Sequence, residues 1–482
     1  MTVTKTVPGP ITNGRPVRPD GGPRSRSERA AAGKRVRSAV PLSAHAALET
    51  GSGRDPVGML VGQAGSRVPE LVPERHARML VSPFTFFRGA ALPMAADLAR
   101  TPTTDLRVQL CGDAHLANFG AFASPERRLV FDLNDFDETL PGPFEWDVKR
   151  LVASLAVAGR ANGFTRKQRD RIALAAVRSY REAMRGFAKM SVLAVWYTSI
   201  DVEEALQGYK DQLKSSGYRA TEALLAKART RDSTQALGKL TTRVDGHRRI
   251  VSQPPLIVPV EELFPGLRSD ALYDELRTLL TRYARSLQSD RRHLLRQFEL
   301  VQVARKVVGV GSVGTRAWIV LLEADDGEEC LFLQAKEAQE SVLAPYAGPS
   351  RHPNQGQRVV VGQQLMQAVS DIFLGWQHTT GVDGVTRDYY LRQLRDWKLS
   401  APIERMVPSG MQAYGALCAW TLARAHARTG DRVAIAAYLG SSDKFDRALA
   451  ELAEGYADLT EQDHAAFKAA AAAGLVEVHD GV

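Results

Sequence analysis

The stretch Gly112-Asp113-Ala114-His115-Leu116-Ala117-Asn118-Phe119-Gly120 carries a carboxylate, an imidazole and an amide close together. It follows an apolar, alternating run at residues 106–111, which predicts a β-strand that ends where the stretch begins. The strand would therefore deliver Asp113, His115 and Asn118 into one short loop. Side chains of these types in one loop indicate a chemical site.

A second cluster of carboxylates follows in Phe131-Asp132-Leu133-Asn134-Asp135-Phe136-Asp137-Glu138. It also lies at the end of a short β-like run, residues 129–133. Two such loops at adjacent strand ends would bring several hard oxygen atoms together, and Mg²⁺ prefers oxygen ligands, with positions left for water and phosphate. An aspartate beside the metal can accept the proton of an alcohol nucleophile. The two loops therefore predict a magnesium site with a general base.

The two loops also carry a resemblance to known enzymes. The pattern Asp-x-His-x-x-Asn within residues 112–118 resembles the catalytic loop of aminoglycoside phosphotransferases, choline kinases and their relatives. Asp135-Phe136-Asp137 looks like the metal-binding Asp-Phe-Gly element of kinases, with Asp137 in place of the glycine. Residues 143–151 resemble the segment after that element, where an aspartate at a helix start braces the catalytic loop.

This resemblance implies a role for each matching position. Asp113 would be the catalytic base, His115 would orient its loop, and Asn118 would be a metal ligand. The candidates for the main Mg²⁺ ligand are Asp135, which the resemblance favours, and its competitors Asp132 and Asp137.

A glycine-rich hairpin is predicted at residues 306–316, between two β-like runs. Its glycines permit a tight turn and let backbone N–H groups approach phosphate. No crossover helix follows, so the hairpin is not a dinucleotide-binding fingerprint. Lys336 ends the next strand and resembles the kinase lysine that pairs with the α- and β-phosphates. The predicted nucleotide-binding residues are Gly309, Gly311, Ser312, Gly314 and Lys336.

The order of these elements differs from that of a kinase, which runs from glycine loop through lysine, helix and hinge to the catalytic loop. Here the catalytic loop comes first, and residues 417–429 near the C-terminus resemble the helix that normally leads into it. We therefore predict an α+β, bilobal protein-kinase-like fold, circularly permuted, with a small antiparallel sheet lobe and a larger helical lobe. The predicted units are a mobile basic arm at 1–40, a helical lobe with the catalytic and metal-binding loops at 41–295, a β-rich nucleotide-binding lobe at 296–400, and C-terminal helices at 401–482 that complete the helical lobe.

One kinase feature is missing from the sequence. The helix predicted at residues 358–376 offers glutamines (Gln363, Gln364 and Gln367) but no glutamate to face Lys336. Glu337 or Glu340 would substitute, or a glutamine or the nucleotide itself would hold the lysine.

The wider pattern resembles a family of uncharacterised bacterial proteins, domain-of-unknown-function family 2252. It runs from residues 82–90 through the two loops to residues 393–398 and 456–458. Three further cations within it, Arg88, Arg395 and Lys398, are candidates for phosphate or substrate contact. The aromatic run Phe84, Phe86 and Phe87 is predicted to pack in the core.

Charge and composition narrow the possible partners. The chain has 482 residues and a net charge of +9, but residues 1–40 alone hold nine basic and two acidic residues. The simpler interpretation of this arm is a solvated tail, and the alternative is a weak contact with polyanions such as polyphosphate, RNA or acidic lipid. The nearly neutral remainder predicts no specific nucleic-acid partner. No apolar run reaches the length of about 18–20 residues that spans a bilayer. With no signal-peptide pattern and three dispersed cysteines, the sequence predicts a cytoplasmic protein without a membrane span.

The predicted function is transfer of the ATP γ-phosphoryl group, with Mg²⁺, to a hydroxyl of an unknown small-molecule acceptor. One alternative is a metal-dependent phosphoesterase, because Gly-Asp-x-His loops also ligate paired metals. A second alternative is a catalytically silent ATP-binding module with a regulatory role.

Overall fold

The structure, a computed structural model, describes residues 24–479 apart from 52, 205–232, 267–268, 308, 310, 312, 326, 328, 382, 395–396 and 398. Its α-helices are α1 Arg26–Ala39, α2 Pro56–Ala64, α3 Val72–Leu80, α4 Pro83–Gly89, α5 Ala91–Leu98, α6 Phe144–Ala161, α7 Arg166–Phe187, α8 Val192–Tyr197, α9 Ser233–Leu240, α10 Val260–Leu263, α11 Ser269–Ala284, α12 Ser289–Leu295, α13 Ala344–Ala347, α14 Gln355–Met366, α15 Pro408–Thr429, α16 Arg432–Leu439 and α17 Lys444–Ala472. Its β-strands are β1 Arg107–Leu110, β2 Phe119–Ala123, β3 Leu129–Leu133, β4 Leu140–Pro143, β5 Ile200–Asp201, β6 Thr241–Val244, β7 His247–Ile250, β8 Ile257–Pro259, β9 Phe298–Lys306, β10 Ala317–Ala324, β11 Cys330–Ala338, β12 Gly375–Thr380 and β13 Thr386–Gln393. The predicted mixed α+β class with small antiparallel sheets is confirmed.

The largest hydrophobic core surrounds α6, whose residues are almost all buried. Helices α7, α15 and α17 pack around it, which explains why α6 carries apolar side chains on every face. Strands β1–β4 lie at the edge of this core, β1 paired with β4 and β2 with β3. We call this assembly the helical body. The predicted core aromatics Phe84, Phe86 and Phe87 are buried.

A six-stranded antiparallel sheet forms the second unit, in the order β12-β13-β11-β10-β9-β8. One of its two central strands, β11, is buried on both faces. Because side chains alternate along a strand, Leu333 and Ala335 join the core beneath α11, whereas Gln334 and Lys336 point to the opposite face. Gln334 and Lys336 line a cavity that also contains residues of the helical body. We call strands β8–β13, together with helices α10–α12 that pack on one face of the sheet, the sheet unit.

The predicted boundary at residue 296 is too late in the chain. Val260, Leu272 and Tyr283, which the prediction assigned to the helical lobe, belong to one apolar cluster with residues of β9–β13. The amphipathic pattern of α11 predicted a helix correctly, but the pattern alone does not say which core its apolar face covers.

The predicted mobile arm also needs correction. Residues 26–39 form α1, which begins with a capping box at Ser25 and Glu28. This helix packs against α16, where the Arg29 guanidinium lies 2.7 Å from the Asp431 carboxylate. Two basic residues of this stretch, Arg29 and Arg37, therefore contact the helical body, Arg37 through the Tyr438 carbonyl. Residues 1–23 lie outside the part of the chain that the structure describes.

The helix predicted at residues 358–376 ends early, because Gln367 adopts an extended backbone after Met366. The Asp132 carboxylate accepts a hydrogen bond from the next amide, Ala368 N, at 2.8 Å. The predicted C-terminal part of the helix instead begins strand β12 at Gly375.

Across the described residues, the helices are too short or too polar to span a lipid bilayer.

His45 makes the stability of the helical body sensitive to acid. Its Nε2 atom lies 2.6 Å from Tyr438 Oη, and burial, with a smaller effect of Lys149, lowers the pKa of His45 to about 3. Between pH 6.5 and 3 the unfolded chain binds a proton at this site that the folded chain does not, so stability falls as pH falls. Chemical denaturation should show roughly 2 kcal/mol lost from pH 7 to pH 5 through this group. The His45→Gln variant should lose correspondingly less; equal losses in both proteins would contradict the assignment.

Candidate active site

The loop that carries Asp113 is held by hydrogen bonds to its backbone. Gly112, two residues after the end of β1, has a φ of +86°, a conformation that glycine adopts without strain. Asp147, in the first turn of α6, accepts hydrogen bonds from the backbone amides of Cys111 (2.7 Å) and Gly112 (3.0 Å). His426 on α15 lies 3.2 Å from the same carboxylate. The brace that the resemblance implied for the aspartate at the helix start is therefore present.

Asp113 is paired with a buried arginine. Arg150 Nη2 lies 2.7 Å from Asp113 Oδ1, and Arg150 Nε donates to the same oxygen at 2.8 Å. Burial raises the pKa of Asp113, while Arg150 acts in the opposite direction. The carboxylate faces a cavity and keeps one oxygen, Oδ2, outside the Arg150 contact. A carboxylate in this setting can accept a proton from a bound hydroxyl group.

His115 and Asn118 shape the same loop. His115 Nδ1 accepts a hydrogen bond from Ala117 N at 3.2 Å, and its Nε2 lies 3.6 Å from Asp113 Oδ2. Burial, together with Arg150 and Arg88, lowers the pKa of His115 well below its usual value, so the ring is neutral. Asn118 Nδ2 donates to the Asp113 carbonyl at 2.6 Å. The amide oxygen of Asn118 is therefore the atom that can ligate a cation.

The second loop meets the sheet unit at Lys336. Lys336 Nζ donates to Asp137 Oδ2 at 2.7 Å and lies 3.8 Å from Asp135 Oδ1. Tyr390 Oη, on the strand beside Lys336, donates to Asp137 Oδ1 at 2.5 Å. Although burial acts in the opposite direction, Lys336 and Tyr390 lower the pKa of Asp137 to about 2. Asp137 is therefore ionised beside a buried ammonium group.

Asp132 has a different environment. It is fully buried between Arg424, whose Nη2 lies 2.5 Å from Oδ1, and the backbone amide of Ala368. It lines neither of the cavities described below. Of the three candidates for metal ligation, Asp132 is therefore committed to holding α15 and the end of α14 in place.

The side chain that holds Lys336 is neither Glu337 nor one of the glutamines at residues 363–367, which were among the partners suggested by the sequence. Glu337 lies on the other side of β11, where its carboxylate is 3.2 Å from Arg316. In α14, Gln363 donates to Gln367, which in turn donates to the Leu133 carbonyl at 2.6 Å. Because alternate strand residues point to opposite faces, the neighbour of Lys336 in sequence cannot serve as its partner. Asp137 holds the lysine instead.

Two cavities meet between the helical body and the sheet unit. The larger, of about 410 Å³, is bounded by Lys336, Gln334, Arg392 and the end of β13 at Gln393. The smaller, of about 120 Å³, is bounded by Arg88, Asp113, His115, Asn118 and Asp137. Asp135 and Gly309 line both cavities. The larger volume lies within the range of about 300–1,000 Å³ typical of small-molecule sites.

The glycine hairpin only partly surrounds these cavities. Gly309 and Gly311 line the smaller one. Gly314 lies outside both linings, with a φ of +88°, and packs against the side chain of Arg67. Its carbonyl accepts a hydrogen bond from Val68 N at 2.8 Å, so Gly314 serves the turn itself. Three predicted contacts, Ser312, Arg395 and Lys398, lie outside the described residues.

The described residues contain no group of three or more His, Cys, Asp or Glu side chains placed to hold a metal ion. Mg²⁺, however, is commonly bound by one or two protein carboxylates, with phosphate oxygens and water completing the coordination. Asp135, Asp137 and the amide oxygen of Asn118 border one cavity and are of the chemical type that such an ion requires. These residues fit an ion that arrives with a phosphate.

Sequence reasoning missed two residues that organise the site. Arg150 lies three positions after Asp147, and this spacing places both on one face of α6. The spacing of Asp147 and Arg150 was therefore a sequence signal for the role of Arg150. Tyr390 contacts Asp137 from a strand more than 250 residues away in sequence, and nothing in its local sequence marks this role.

Residues 67–470 match a family described as uncharacterized protein conserved in bacteria (DUF2252). The chain belongs to this family. The DUF2252 match includes both loops, the glycine hairpin and Lys336, so every predicted site residue lies within the shared region. Helices α1 and α2 lie outside it. No curated protein and no solved structure matches the chain.

Proposed function

We propose that this protein is a kinase-like phosphotransferase that moves the γ-phosphoryl group of ATP, with Mg²⁺, to a hydroxyl of a small-molecule acceptor. One observation carries the proposal. The ammonium group of Lys336 lies 2.7 Å from Asp137 and 3.8 Å from Asp135, although about 200 residues separate them in the chain. Asp113 lines the same cavity as these two carboxylates.

The order of elements supports a circularly permuted kinase-like fold. From β9 onward the chain runs through a glycine hairpin, a lysine on the third strand, helix α14, strands β12 and β13, and a connection to α15. If the loop of Asp113 is taken to follow α15, these elements have the kinase order of lysine, helix, hinge, helix and catalytic loop. In this proposal the end of β13 and Leu394 correspond to the hinge side of the larger cavity.

Each site residue then has a task. The larger cavity binds the nucleotide, with Gly309 and Gly311 beside its phosphates. Lys336, released in part from Asp137, neutralises phosphate charge. Asp135, with Asn118 and Asp137, would hold Mg²⁺, which when bound neutralises charge on the phosphate oxygens. Asp113 accepts the proton of the acceptor hydroxyl, and Arg150 favours the ionised form of this carboxylate and orients it. The smaller cavity, with a volume of about 120 Å³, favours a small acceptor group.

The first test is nucleotide binding followed by turnover. In thermal denaturation, MgADP or a non-hydrolysable Mg-ATP analogue at 100 times its Kd should raise the free energy of unfolding by about 2.7 kcal/mol. Labelled γ-phosphate should then pass from ATP to a hydroxyl compound in an acceptor panel. Absence of binding at millimolar nucleotide would refute the proposal. Binding without turnover on any acceptor would favour a regulatory module, and two tightly bound transition-metal ions per chain would favour a phosphoesterase.

A further inference from the structure

Arg88 lies between the two halves of the proposed site. It occupies the last turn of α4, and its side chain lines the smaller cavity with Asp113 and Asp135. The glycine hairpin approaches from the other side: a Cβ atom placed on Gly311 would lie 3.3 Å from the Arg88 carbonyl oxygen. Arg88 therefore lies where the glycine hairpin and the loop of Asp113 face each other.

Arg150 sets the position of Arg88 relative to Asp113. Its Nη2 atom donates to the Phe87 carbonyl at 2.7 Å and lies 2.7 Å from Asp113 Oδ1. Its guanidinium also stacks 3.8 Å from the centre of the Phe87 ring. The residue before Arg88 is thus tied directly to the carboxylate that acts as base. Arg88 is held at this position by the same buried arginine that orients Asp113.

The guanidinium of Arg88 has an N–H donor that no acceptor among the described residues uses. Its Nε atom is buried without a hydrogen-bond partner, and no ion pair forms within 4.0 Å, among the residues that the structure describes. Burial lowers the pKa of Arg88, while the charges of Asp113, Glu404 and Asp135 act in the opposite direction. An arginine stays protonated in such a setting. A half-buried cation whose Nε atom has no partner is costly, and an anion in the cavity would relieve that cost.

We propose that Arg88 binds the phosphoryl group in transit and stabilises its charge during transfer. The inference rests on the proposed function. In the transfer, the bond between the γ-phosphorus and the β,γ-bridging oxygen breaks, and a bond from the acceptor oxygen to the same phosphorus forms. The acceptor proton passes to Asp113, and ADP leaves with the bond's electron pair. Because Arg88 lines one cavity with Asp113 and Gly311, its guanidinium contacts the equatorial oxygens on which negative charge is spread.

Equilibrium binding separates this role from general nucleotide binding. We would measure by calorimetry the affinities of MgADP and of a non-hydrolysable Mg-ATP analogue for the wild type and for Arg88→Gln. The variant should bind the ATP analogue about 10–100-fold more weakly, as expected for lost charge-assisted hydrogen bonds, and bind MgADP within about twofold of the wild type. Arg88→Lys should recover part of the lost affinity, since it keeps the charge but not the fork of donors. Turnover of Arg88→Gln should fall about 10³-fold.

Arg166→Gln, on the exposed surface of α7, is the matched control for the same chemical change and should retain both affinities. Far-UV circular dichroism and the melting temperature check that Arg88→Gln folds. If the wild type binds neither nucleotide, the proposed function fails. If the wild type binds both and Arg88→Gln loses them equally, or loses neither, the role of Arg88 is refuted while the proposed function stands.

Discussion

Replacing Asp113 with asparagine should reduce phosphoryl transfer by about 10²–10⁴-fold, the usual contribution of a general base. Asparagine preserves the shape of the side chain but cannot accept the acceptor proton. Asp113 does not line the larger cavity, so the affinity for MgADP should stay close to that of the wild type. Turnover with labelled ATP and calorimetry with MgADP provide the two readouts. Wild-type turnover in Asp113→Asn would remove Asp113 as the base.

A companion variant tests the base without removing it. Arg150 lowers the pKa of Asp113, so Arg150→Met should raise that pKa. Because only the ionised carboxylate accepts a proton, turnover should be lost on the acid side at a higher pH in the variant than in the wild type. Activity should recover as pH increases. An acid limb at the same pH in both proteins would show that Asp113 does not limit activity there.

Replacing Asp135 with asparagine should abolish the Mg²⁺ dependence of nucleotide binding and reduce turnover by about 10³-fold or more, because metal stabilisation of phosphate charge supplies several kcal/mol. Asp135 is half-buried, lines both cavities and lies 3.8 Å from Lys336. The measurement is calorimetry of ADP binding in Mg²⁺ and in EDTA. The wild type should show a large difference between the two conditions and the variant almost none.

Asp132→Asn is the matched control for this prediction. The substitution removes the same charge three residues earlier in the chain, at the end of β3, but Asp132 faces Arg424 and neither cavity. It should destabilise the fold by roughly 3–5 kcal/mol, because Arg424 would stay buried without its partner. Folded Asp132→Asn protein should keep the Mg²⁺ dependence of the wild type. Loss of that dependence in Asp132→Asn, with retention in Asp135→Asn, would reverse the assignment.

The parts of the site that could be predicted are those carried by neighbours in sequence. Asp113, His115 and Asn118 lie within six consecutive residues, so their spacing alone places them together. The strand predicted at residues 129–133 coincides with β3, because a short apolar β-like run bounded by turn-forming residues is local information. The kinase-like fold that these patterns suggest stays a prediction.

Contacts between distant segments could not be predicted in this way. The choice between Asp132 and Asp135 depends on Arg424, which is 292 residues from Asp132. The partner of Lys336 is a carboxylate 199 residues away, not the neighbouring Glu337. The alternation of β11 excludes Glu337, but only the packing of the sheet unit against the helical body brings Asp137 to the lysine.

The sequence by itself determined the types of chemical group that this chain presents and their local order: a carboxylate loop, an acidic loop, a glycine hairpin and a lysine. The tertiary structure alone decided which of them meet. Local spacing and periodicity follow from backbone geometry, whereas the pairing of Lys336 with Asp137 and of Arg424 with Asp132 depends on which apolar faces pack together. That choice is made by the burial of the whole chain, so no short stretch of residues records it.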